Sequence, residues 1–498
     1  MGKKSRRSRQ KQPQPESFRP DAEVMRLVEE IFRGTTQPPG EDEWEDFVAI
    51  RKLVDQLIDK QSACRASADG HEAVCEDGSR ADRFPAFREW LVANGVDVHC
   101  VDFIEFPGVG FGVKALTHIK EHEQFLMIPQ KLMITAVTAS ESRLKFFTES
   151  DHLLQTMPNV ALAVHLVCEQ FNPDSFWRPY IDVLPETFAT PLYYNVEEIK
   201  LLEGSTAYME AINQSKSIAR QYAYLLKLFL KHPEAKHLSV FQRPFTYEDY
   251  RWATSCVMTR QNRIPIKDGE DSTLALIPGW DMCNHCEGAI TTDFSLAQHC
   301  CLCYAMKDFP VGSEVVMCYG PRTNAEFVVN SGFFYDKNPI GRLKIRLGVS
   351  KNDHLFGLKT QLLSHLNIPE SASFCIVDEQ YPITLNLLAF LRVFCMTNDQ
   401  LLERVQADLS KISSLRSPVS KVSYENEKGV FTFLETRSSL LLRRYKSTVE
   451  EDEALLRKGD LTVFATNAVK LRKQEKEILI RTLQFAKSQL EVLNIVLK

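Results

Sequence analysis

The spacing of the apolar residues changes along the chain, and this change constrains the fold more than any other feature. From about Phe84 the apolar residues form short runs bounded by Gly and Pro, a pattern that predicts strands. Between about residues 140 and 250 their spacing lengthens, which places Val160, Val164 and Val167 on one helical face. The strands predicted on either side of this helical insert are 111–115, 124–129, 132–135, 272–277, 301–306 and 314–319. The pattern predicts an α+β fold in which a helical insert interrupts a β-rich domain.

Length and composition predict several domains and no membrane span. A single hydrophobic core rarely grows past about 300 residues, and this chain has 498. We predict a disordered basic tail at 1–20, a helical segment at 21–83, a β-rich domain at 84–340 with the insert at about 140–250, and an all-helical region at 341–498. The most apolar stretch, 385–396, is too short to cross a bilayer and predicts a buried helix.

Charge and cysteine content indicate the compartment. The net charge of −5 lacks the basic character that nucleic-acid binding usually requires, so no direct nucleic-acid contact is expected. Thirteen cysteines without a secretory signal indicate reduced thiols. We expect a monomer in the cytoplasm, with the nucleus as a second location. The six basic residues between Lys3 and Lys11 suit a nuclear address, a contact for an acidic partner or a solubilising tail.

Two pairs of cysteines raise the question of a zinc site. Cys283 and Cys286 form one C-x2-C pair, and Cys300 and Cys303 form another at a distance typical of structural zinc. The second pair falls in a predicted strand, where residues three apart point to opposite faces. We therefore predict no metal.

Three alternating glycines open a strand that could approach a ligand. Gly108, Gly110 and Gly112 lack a Cβ, so their backbone can offer NH and carbonyl groups to a nucleotide-like cofactor. A β-bulge or a tight turn explains the same pattern. It is not a dinucleotide-binding fingerprint, because the residues after Phe111 predict a strand where that motif leads into a helix.

A second set of motifs lies downstream and carries a family resemblance. The motifs are Asp281-Met-Cys-Asn-His285, Glu314-Val-Val-Met-Cys-Tyr-Gly320, Asn324-Ala-Glu-Phe327 and Ser331-Gly-Phe333. With the glycine-rich element they resemble the SET-domain methyltransferases. The long insert and the helical C-terminal region are similar to the branch that includes the Rubisco lysine methyltransferases, whose C-terminal domain binds substrate. The segments 245–252 and 257–262 narrow the resemblance to the protein-histidine methyltransferases that act on actin.

The resemblance implies S-adenosylmethionine (AdoMet) as cofactor, S-adenosylhomocysteine (AdoHcy) as product and actin as protein substrate, with methylation at the tele nitrogen of histidine. The implied cofactor-binding residues are Arg80, Val109, Gly110, Phe111, Arg260, Asp281, Met282, Cys283, Asn284, His285, Ser331, Gly332 and Phe333. An arginine can pair with the cofactor's carboxylate in bidentate fashion. Val109 departs from the family's pattern, which has an acid there, so any contact would come from its backbone. Without the resemblance, Arg80 and Arg260 would be assigned to surface or interdomain ion pairs.

Two residues are assigned to the reaction and three more to the peptide. Methyl transfer is an in-line displacement, so alignment is the main task. An imidazole with a pKa of about 6.5 is mostly neutral at physiological pH, whereas a lysine must first lose a proton. The carbonyl of Asn262 can accept the N–H of the ring and fix its tautomer. Tyr319 is assigned to the methyl-transfer site, although a core tyrosine fits equally. Trp280, Arg220 and Arg322 are assigned, with Asn262, to substrate binding.

Two other functions stay open on the sequence alone. One is a lysine methyltransferase acting on histone or another protein. The other is a non-catalytic module in which the SET fold and the helical region form only a docking surface.

Overall fold

The computed structural model describes residues 20–38, 40, 42–68, 79–241, 243–266, 271–339 and 341–496. The predicted tail at 1–20 lies outside these residues except for Pro20. The strands are β1 (Val101–Phe106), β2 (Gly110–Ala115), β3 (Gln124–Pro129), β4 (Ile134–Thr135), β5 (Asn262–Ile266), β6 (Asp271–Leu276), β7 (Thr292–Ser295), β8 (Cys300–Tyr304), β9 (Glu314–Val315), β10 (Arg342–Gly348) and β11 (Ser371–Val377).

Helices account for most of the remaining described chain. They are α1 (Ala22–Thr36), α2 (Glu43–Ala68), α3 (Arg80–Ala93), α4 (Ala136–Glu141), α5 (Lys145–Ser150), α6 (His152–Thr156), α7 (Pro158–Gln170), α8 (Arg178–Ile181), α9 (Val196–Lys200), α10 (Thr206–Lys231), α11 (Tyr247–Arg260), α12 (Asn324–Ser331), α13 (Phe356–His365), α14 (Leu385–Cys395), α15 (Asn398–Val405), α16 (Leu409–Ser413), α17 (Tyr424–Leu442), α18 (Val449–Lys458) and α19 (Val463–Val496).

The chain divides into two compact units. The first comprises Met1–Thr187 and Lys216–Cys318, and the second comprises Phe188–Ser215 and Tyr319–Lys498. The division therefore falls inside α10 and just before Tyr319. The predicted α+β class is confirmed, with strands concentrated in the first unit and helices prevailing in the second.

The first unit holds three small antiparallel sheets, with strand orders β1-β2-β9, β3-β8-β7 and β4-β6-β5. In the third sheet, Asn262 of β5 and Thr135 of β4 both lie opposite Ala275 of β6. The helices α4 to α11 separate β4 from β5 along the chain, as the predicted insert requires. Its central helix is α7, in which every residue from Val160 to Cys168 is buried. An apolar character on all sides is typical of a helix at the centre of a domain.

The second unit is built around a separate hydrophobic core contributed by β10, β11 and helices between α13 and α19. It is mainly helical, but the expectation of an all-helical region at 341–498 was incorrect. β10 and β11 pair in antiparallel register, with Ile345 opposite Phe374. The alternation of β10 explains the difference, since Leu343, Ile345 and Leu347 are buried while Arg342, Lys344 and Arg346 are exposed. Within the described part of the chain, no helix combines the length and the apolar character that a membrane crossing requires.

Candidate active site

The glycine-rich strand leaves room for side chains of this chain at one position and bends at two others. A Cβ on Gly112 would lie 2.7 Å from Glu314 Oε1 and 3.0 Å from Asn284 Nδ2. Gly108 and Gly110 have φ angles of +81° and +83°, which L side chains rarely adopt. They form the turn of the β1–β2 hairpin, in which Val109 is 60% exposed. The tight turn that also explained the glycine pattern is therefore present at Gly108 and Gly110, whereas Gly112 is approached by side chains of this chain, and a close approach to a ligand stays a prediction.

Asn284 joins this strand to the segment around β9. Its Nδ2 donates to the Phe111 carbonyl at 3.2 Å and to Glu314 Oε1 at 2.7 Å. The backbone carbonyl of Asn284 accepts a hydrogen bond from Met317 N at 2.9 Å, and Cys286 N donates to the Met317 carbonyl at 2.9 Å. The turn that follows Asp281 is therefore fixed by hydrogen bonds on both sides.

Asp281 is the most deeply buried charged group of this turn. Its side chain is 1% exposed, and Tyr180 donates its hydroxyl hydrogen bond to Oδ2 at 2.5 Å. Arg260, the last residue of α11, donates from Nη1 to the Asp281 carbonyl oxygen and holds the same nitrogen 3.9 Å from Oδ2. Burial raises the pKa of the Asp281 carboxyl, and the nearby Arg260 and Tyr180 oppose that rise.

Arg80 belongs to the same charged group. It is the first residue of α3, its guanidinium lies 4.6 Å from the Phe111 ring centroid, and its Nε donates to the Val183 carbonyl at 2.7 Å. Burial, together with the positive charge of Arg260, lowers the pKa of Arg80 to about 10. Arg80, Arg260 and Asp281 thus lie within electrostatic reach of one another, as a shared site requires.

Three of the four residues assigned to the peptide lie at different places in the first unit. Asn262 begins β5, and its Nδ2 donates to the Arg260 carbonyl at 3.2 Å. Trp280 is 8% exposed and donates from Nε1 to Thr292 Oγ1 at 2.8 Å. Arg220 is exposed and donates to the Thr35 carbonyl at the end of α1, at 3.2 Å. Its assignment to substrate stays a prediction.

The remaining assigned residues belong to the second unit. Ser331 ends α12, and Gly332 follows it with φ of +83° in a left-handed cap. A Cβ on Gly332 would lie 2.8 Å from the Ala189 carbonyl carbon, so only glycine fits. Phe333 stacks on Phe327 at 4.9 Å between ring centroids and lies edge-on to Tyr319 at 6.3 Å. Arg322 Nη1 lies 3.5 Å from Ser331 Oγ, so these two assigned residues contact each other within the second unit.

The cysteine pairs considered for zinc adopt a different arrangement. Cys301 and Cys303 place their Sγ atoms 4.0 Å apart on β8, whereas the Cys300 thiol lies 3.6 Å from Gln298 Oε1. Among the described residues, no group of three or more His, Cys, Asp or Glu side chains is arranged to hold a metal ion. Burial raises the pKa of the Cys283 and Cys303 thiols above the usual range for cysteine.

Sequence reasoning missed three residues that hold the site together. Tyr180, Thr292 and Glu314 bond to Asp281, Trp280 and Asn284 respectively. Glu314 belonged to a quoted motif, so its position was visible in the sequence without its partner. Tyr180 lies 101 residues from Asp281, and no local pattern links the two.

Two family models match the chain. Residues 110–320 match the SET domain, and residues 350–479 match the Rubisco LSMT substrate-binding region. A crystal structure of the SET domain of LSMT bound to lysine and AdoHcy is similar at a TM-score of 0.67 and 21% identity, covering 82% of this chain and 92% of that one. The structure of Rubisco LSMT bound to AdoMet gives 0.65 at 21% identity, covering 82% and 93%. The fold is that of a SET-domain protein with this C-terminal region.

Closer relatives narrow the assignment. Actin-histidine N-methyltransferases from Mus musculus and Homo sapiens are each 44% identical to this chain over 492 aligned residues. The aligned region covers 98% of this chain and 81% of each relative. The enzyme of the same name from Canis lupus familiaris is 45% identical over 99% of this chain and 83% of its own. The chain belongs to the family of the actin-histidine N-methyltransferases. The predicted family and the predicted enzyme class are thereby confirmed.

Proposed function

We propose that the protein transfers a methyl group from AdoMet to a histidine of actin and produces tele-methylhistidine. Asn262 carries the assignment to histidine. Its Nδ2 donates to the Arg260 carbonyl, and that bond orients the amide so that Oδ1 points away as an acceptor. An acceptor of this kind suits the N–H of a neutral imidazole, whereas an amine nucleophile does not need it. The membership of the chain in its family supports the same reaction.

The residues of the first unit fit the amino-acid end of the cofactor. Arg80 and Arg260 supply two guanidinium groups beside one carboxylate, and Arg260 Nε is buried without a hydrogen-bond partner among the described residues. Such groups bind a carboxylate in charge-assisted hydrogen bonds. AdoMet, when bound, supplies a methyl group on a positively charged sulfur. We assign the backbone of 109–111 and the segment 281–285 to the same ligand. The assignment of Ser331, Gly332 and Phe333 to the cofactor stays a prediction from the resemblance.

The protein's own part in the reaction is to align the nucleophile. Asn262 Oδ1 would accept a hydrogen bond from the N–H of the imidazole, which leaves the other ring nitrogen with its lone pair exposed. Tyr319 is proposed to direct its hydroxyl toward the transferring methyl group, and Trp280, Arg220 and Arg322 to hold the peptide. Replacing Tyr319 with Phe should abolish methylation while calorimetry still detects cofactor binding, because only the hydroxyl is removed. Loss of binding and activity together would contradict this role.

Mass spectrometry of actin tests the reaction directly. The full chain is incubated with actin and with AdoMet that carries a deuterated methyl group, and tryptic peptides are sequenced. We expect the label on a histidine, at the tele nitrogen when compared with synthetic standards. Label on lysine would favour the alternative substrate class. Binding of AdoMet without any label would contradict both enzyme assignments and favour a docking module.

Substituting Asn262 with Val tests the basis of histidine selectivity. Valine has a similar volume but no carbonyl, so the imidazole loses the group that fixes its tautomer. The ratio of histidine to lysine methylation should fall, on the order of tenfold for one lost hydrogen bond, in a pair of peptides that differ only at the target residue. Asn94→Val is the matched control, because Asn94 Nδ2 also donates to a local carbonyl, that of Trp90 at 2.9 Å. An unchanged ratio in Asn262→Val would rule out this role.

A further inference from the structure

Tyr180 connects the helical insert to the turn that carries Asp281. It lies in α8, is 0% exposed and packs against Phe87, with 6.1 Å between ring centroids. Its hydroxyl donates to Asp281 Oδ2 at 2.5 Å. Burying a phenol is costly unless the hydroxyl finds a partner, and here that partner is a buried carboxylate.

The other bonds of Asp281 make this hydroxyl important. Oδ1 is buried and has no hydrogen-bond partner among the residues that the structure describes. Oδ2 lies 3.9 Å from Arg260 Nη1, beyond hydrogen-bond distance, while that nitrogen bonds to the backbone carbonyl of Asp281. Tyr180 therefore supplies the direct hydrogen bond that the carboxylate receives on Oδ2.

The charges around Asp281 do not balance. Two guanidinium groups, Arg80 and Arg260, lie near the Asp281 carboxylate, and burial together with Arg260 lowers the pKa of Arg80. Glu186 opposes that lowering, but its carboxylate is already paired with Arg83 at 3.0 Å. One positive charge is left over, which suits a ligand carboxylate. If Asp281 moved onto Arg260 and formed a close ion pair, one of the two guanidinium groups would be less available to that ligand.

We propose that Tyr180 is a positioning residue for the cofactor: its hydrogen bond holds the Asp281 carboxylate off Arg260, so that Arg80 and Arg260 both stay available to the cofactor's carboxylate. The inference rests on the proposed function and adds to it a residue outside the cofactor site itself. Without the hydroxyl, Oδ2 can turn toward Arg260 Nη1 and close the 3.9 Å gap between them.

Tyr180→Phe in the full chain tests this role with two ligands. AdoHcy carries the amino-acid carboxylate, whereas 5′-methylthioadenosine keeps the adenosine and the sulfur but has no carboxylate. We expect the Kd of AdoHcy to rise roughly tenfold in calorimetry, as for the loss of one charge-assisted interaction. The inhibition constant of 5′-methylthioadenosine should stay within about twofold, and so should the KM for an actin peptide. Equal weakening of both ligands would indicate general damage and would overturn the proposal.

Two further variants separate positioning from packing. Tyr250→Phe is the matched control, because Tyr250 is also 0% exposed in a helix of the first unit and donates to Gln221 Oε1 at 2.8 Å. It should leave the affinity of both ligands unchanged. In an Asp281→Asn background, adding Tyr180→Phe should change the Kd of AdoHcy no further, since the effect runs through the carboxylate. A further tenfold loss in that background would overturn the proposal.

The outcomes also distinguish this inference from the proposed function. If the wild-type chain binds neither AdoMet nor AdoHcy, the proposed function fails and this inference fails with it. If the wild-type chain binds and Tyr180→Phe binds AdoHcy equally well, only the inference is overturned. Should Tyr180→Phe fail to fold, Tyr180→Leu, which also lacks the hydroxyl, takes its place with the same two ligands. AdoHcy should again bind roughly tenfold more weakly while 5′-methylthioadenosine stays within about twofold, and an unchanged Kd of AdoHcy or an equal weakening of both ligands would overturn the proposal.

Discussion

At the scale of single residues, Gly112 shows how closely the strand and the turn approach each other. Its missing Cβ provides the space in which Glu314 and Asn284 meet. Gly112→Ala should lower the free energy of unfolding by about 1–3 kcal/mol, as overpacking of a close contact does. The free energy of unfolding is measured by urea denaturation, with circular dichroism as the signal.

Gly34→Ala is the control for that substitution. Gly34 lies in α1 of the same unit, and a Cβ there would meet Ile50 at an ordinary 3.7 Å. Alanine in a helix interior should raise the free energy of unfolding by roughly 0.5–1 kcal/mol. A loss at Gly34 equal to that at Gly112 would mean that the close approach at Gly112 is not the cause.

His165 predicts how stability depends on pH. It is 1% exposed in α7, neither ring nitrogen has a hydrogen-bond partner among the described residues, and burial lowers its pKa to about 4. Because a histidine in the unfolded chain has a pKa of about 6.5, unfolding is coupled to protonation of His165 at pH values between 4 and 6.5. The contribution of neutral His165 to the free energy of unfolding is fully present above about pH 6.5. It is lost as the pH falls toward 4, and the loss is on the order of 3 kcal/mol.

His165→Leu should remove that part of the pH dependence. The free energy of unfolding at pH 7 should change little, because an apolar side chain replaces two unsatisfied nitrogens. Denaturation at several pH values between 4 and 7 measures both effects. His237→Leu, at an exposed position, serves as the control and should leave the slope as it is. A slope unchanged in His165→Leu would show that other groups cause it.

At the scale of helices and strands, the second unit depends on a buried ion pair between α14 and α17. Arg392 is 1% exposed, its Nε donates to Glu427 Oε1 at 2.6 Å, and its Nη1 donates to the carbonyls of Leu415 and Ser417 at 2.9 and 2.8 Å. Arg392→Met should lower the free energy of unfolding by about 3–5 kcal/mol, because it leaves the Glu427 carboxylate buried and unpaired.

Two comparisons identify the unpaired charge as the cause. The double variant Arg392→Met/Glu427→Met should recover much of the lost stability in the same denaturation experiment. Lys411→Met breaks the exposed pair with Glu403, whose atoms are 3.9 Å apart, and should cost at most about 0.5 kcal/mol. A double variant as unstable as Arg392→Met would point instead to lost packing.

Individual elements were predictable from sequence where their pattern is local. The apolar run at 385–396 corresponds to α14, and the predicted strand at 124–129 matches β3. β10 was missed although Leu343, Ile345 and Leu347 alternate with charged residues, because the helical pattern that begins at about Asp353 was extended back to residue 341. β9 is shorter than the predicted 314–319, because beyond Val315 the chain forms only an isolated bridge, between Met317 and His285, among the described residues.

At the scale of the whole molecule, the change in the spacing of the apolar residues predicted the order of its parts, and motifs predicted the family. Neither could predict which distant side chains meet. Arg260 follows from its motif, but its contact with Asp281 spans 21 residues and that of Tyr180 spans 101. Contacts of this kind depend on packing among several elements, whereas propensity and periodicity act over a few residues.

The buried thiols of the first unit have a practical consequence. Seven cysteines of this unit are buried: Cys100, Cys168, Cys256, Cys283, Cys300, Cys301 and Cys303. They lie in the turn before β1, in α7 and α11, in the turn after Asp281 and in β8. A buried thiol reacts with an alkylating reagent only when its surroundings open to solvent. The alkylation rate of each one, read by mass spectrometry with and without AdoHcy, therefore maps thiol by thiol how often each part of the unit unfolds locally and which parts a ligand holds closed.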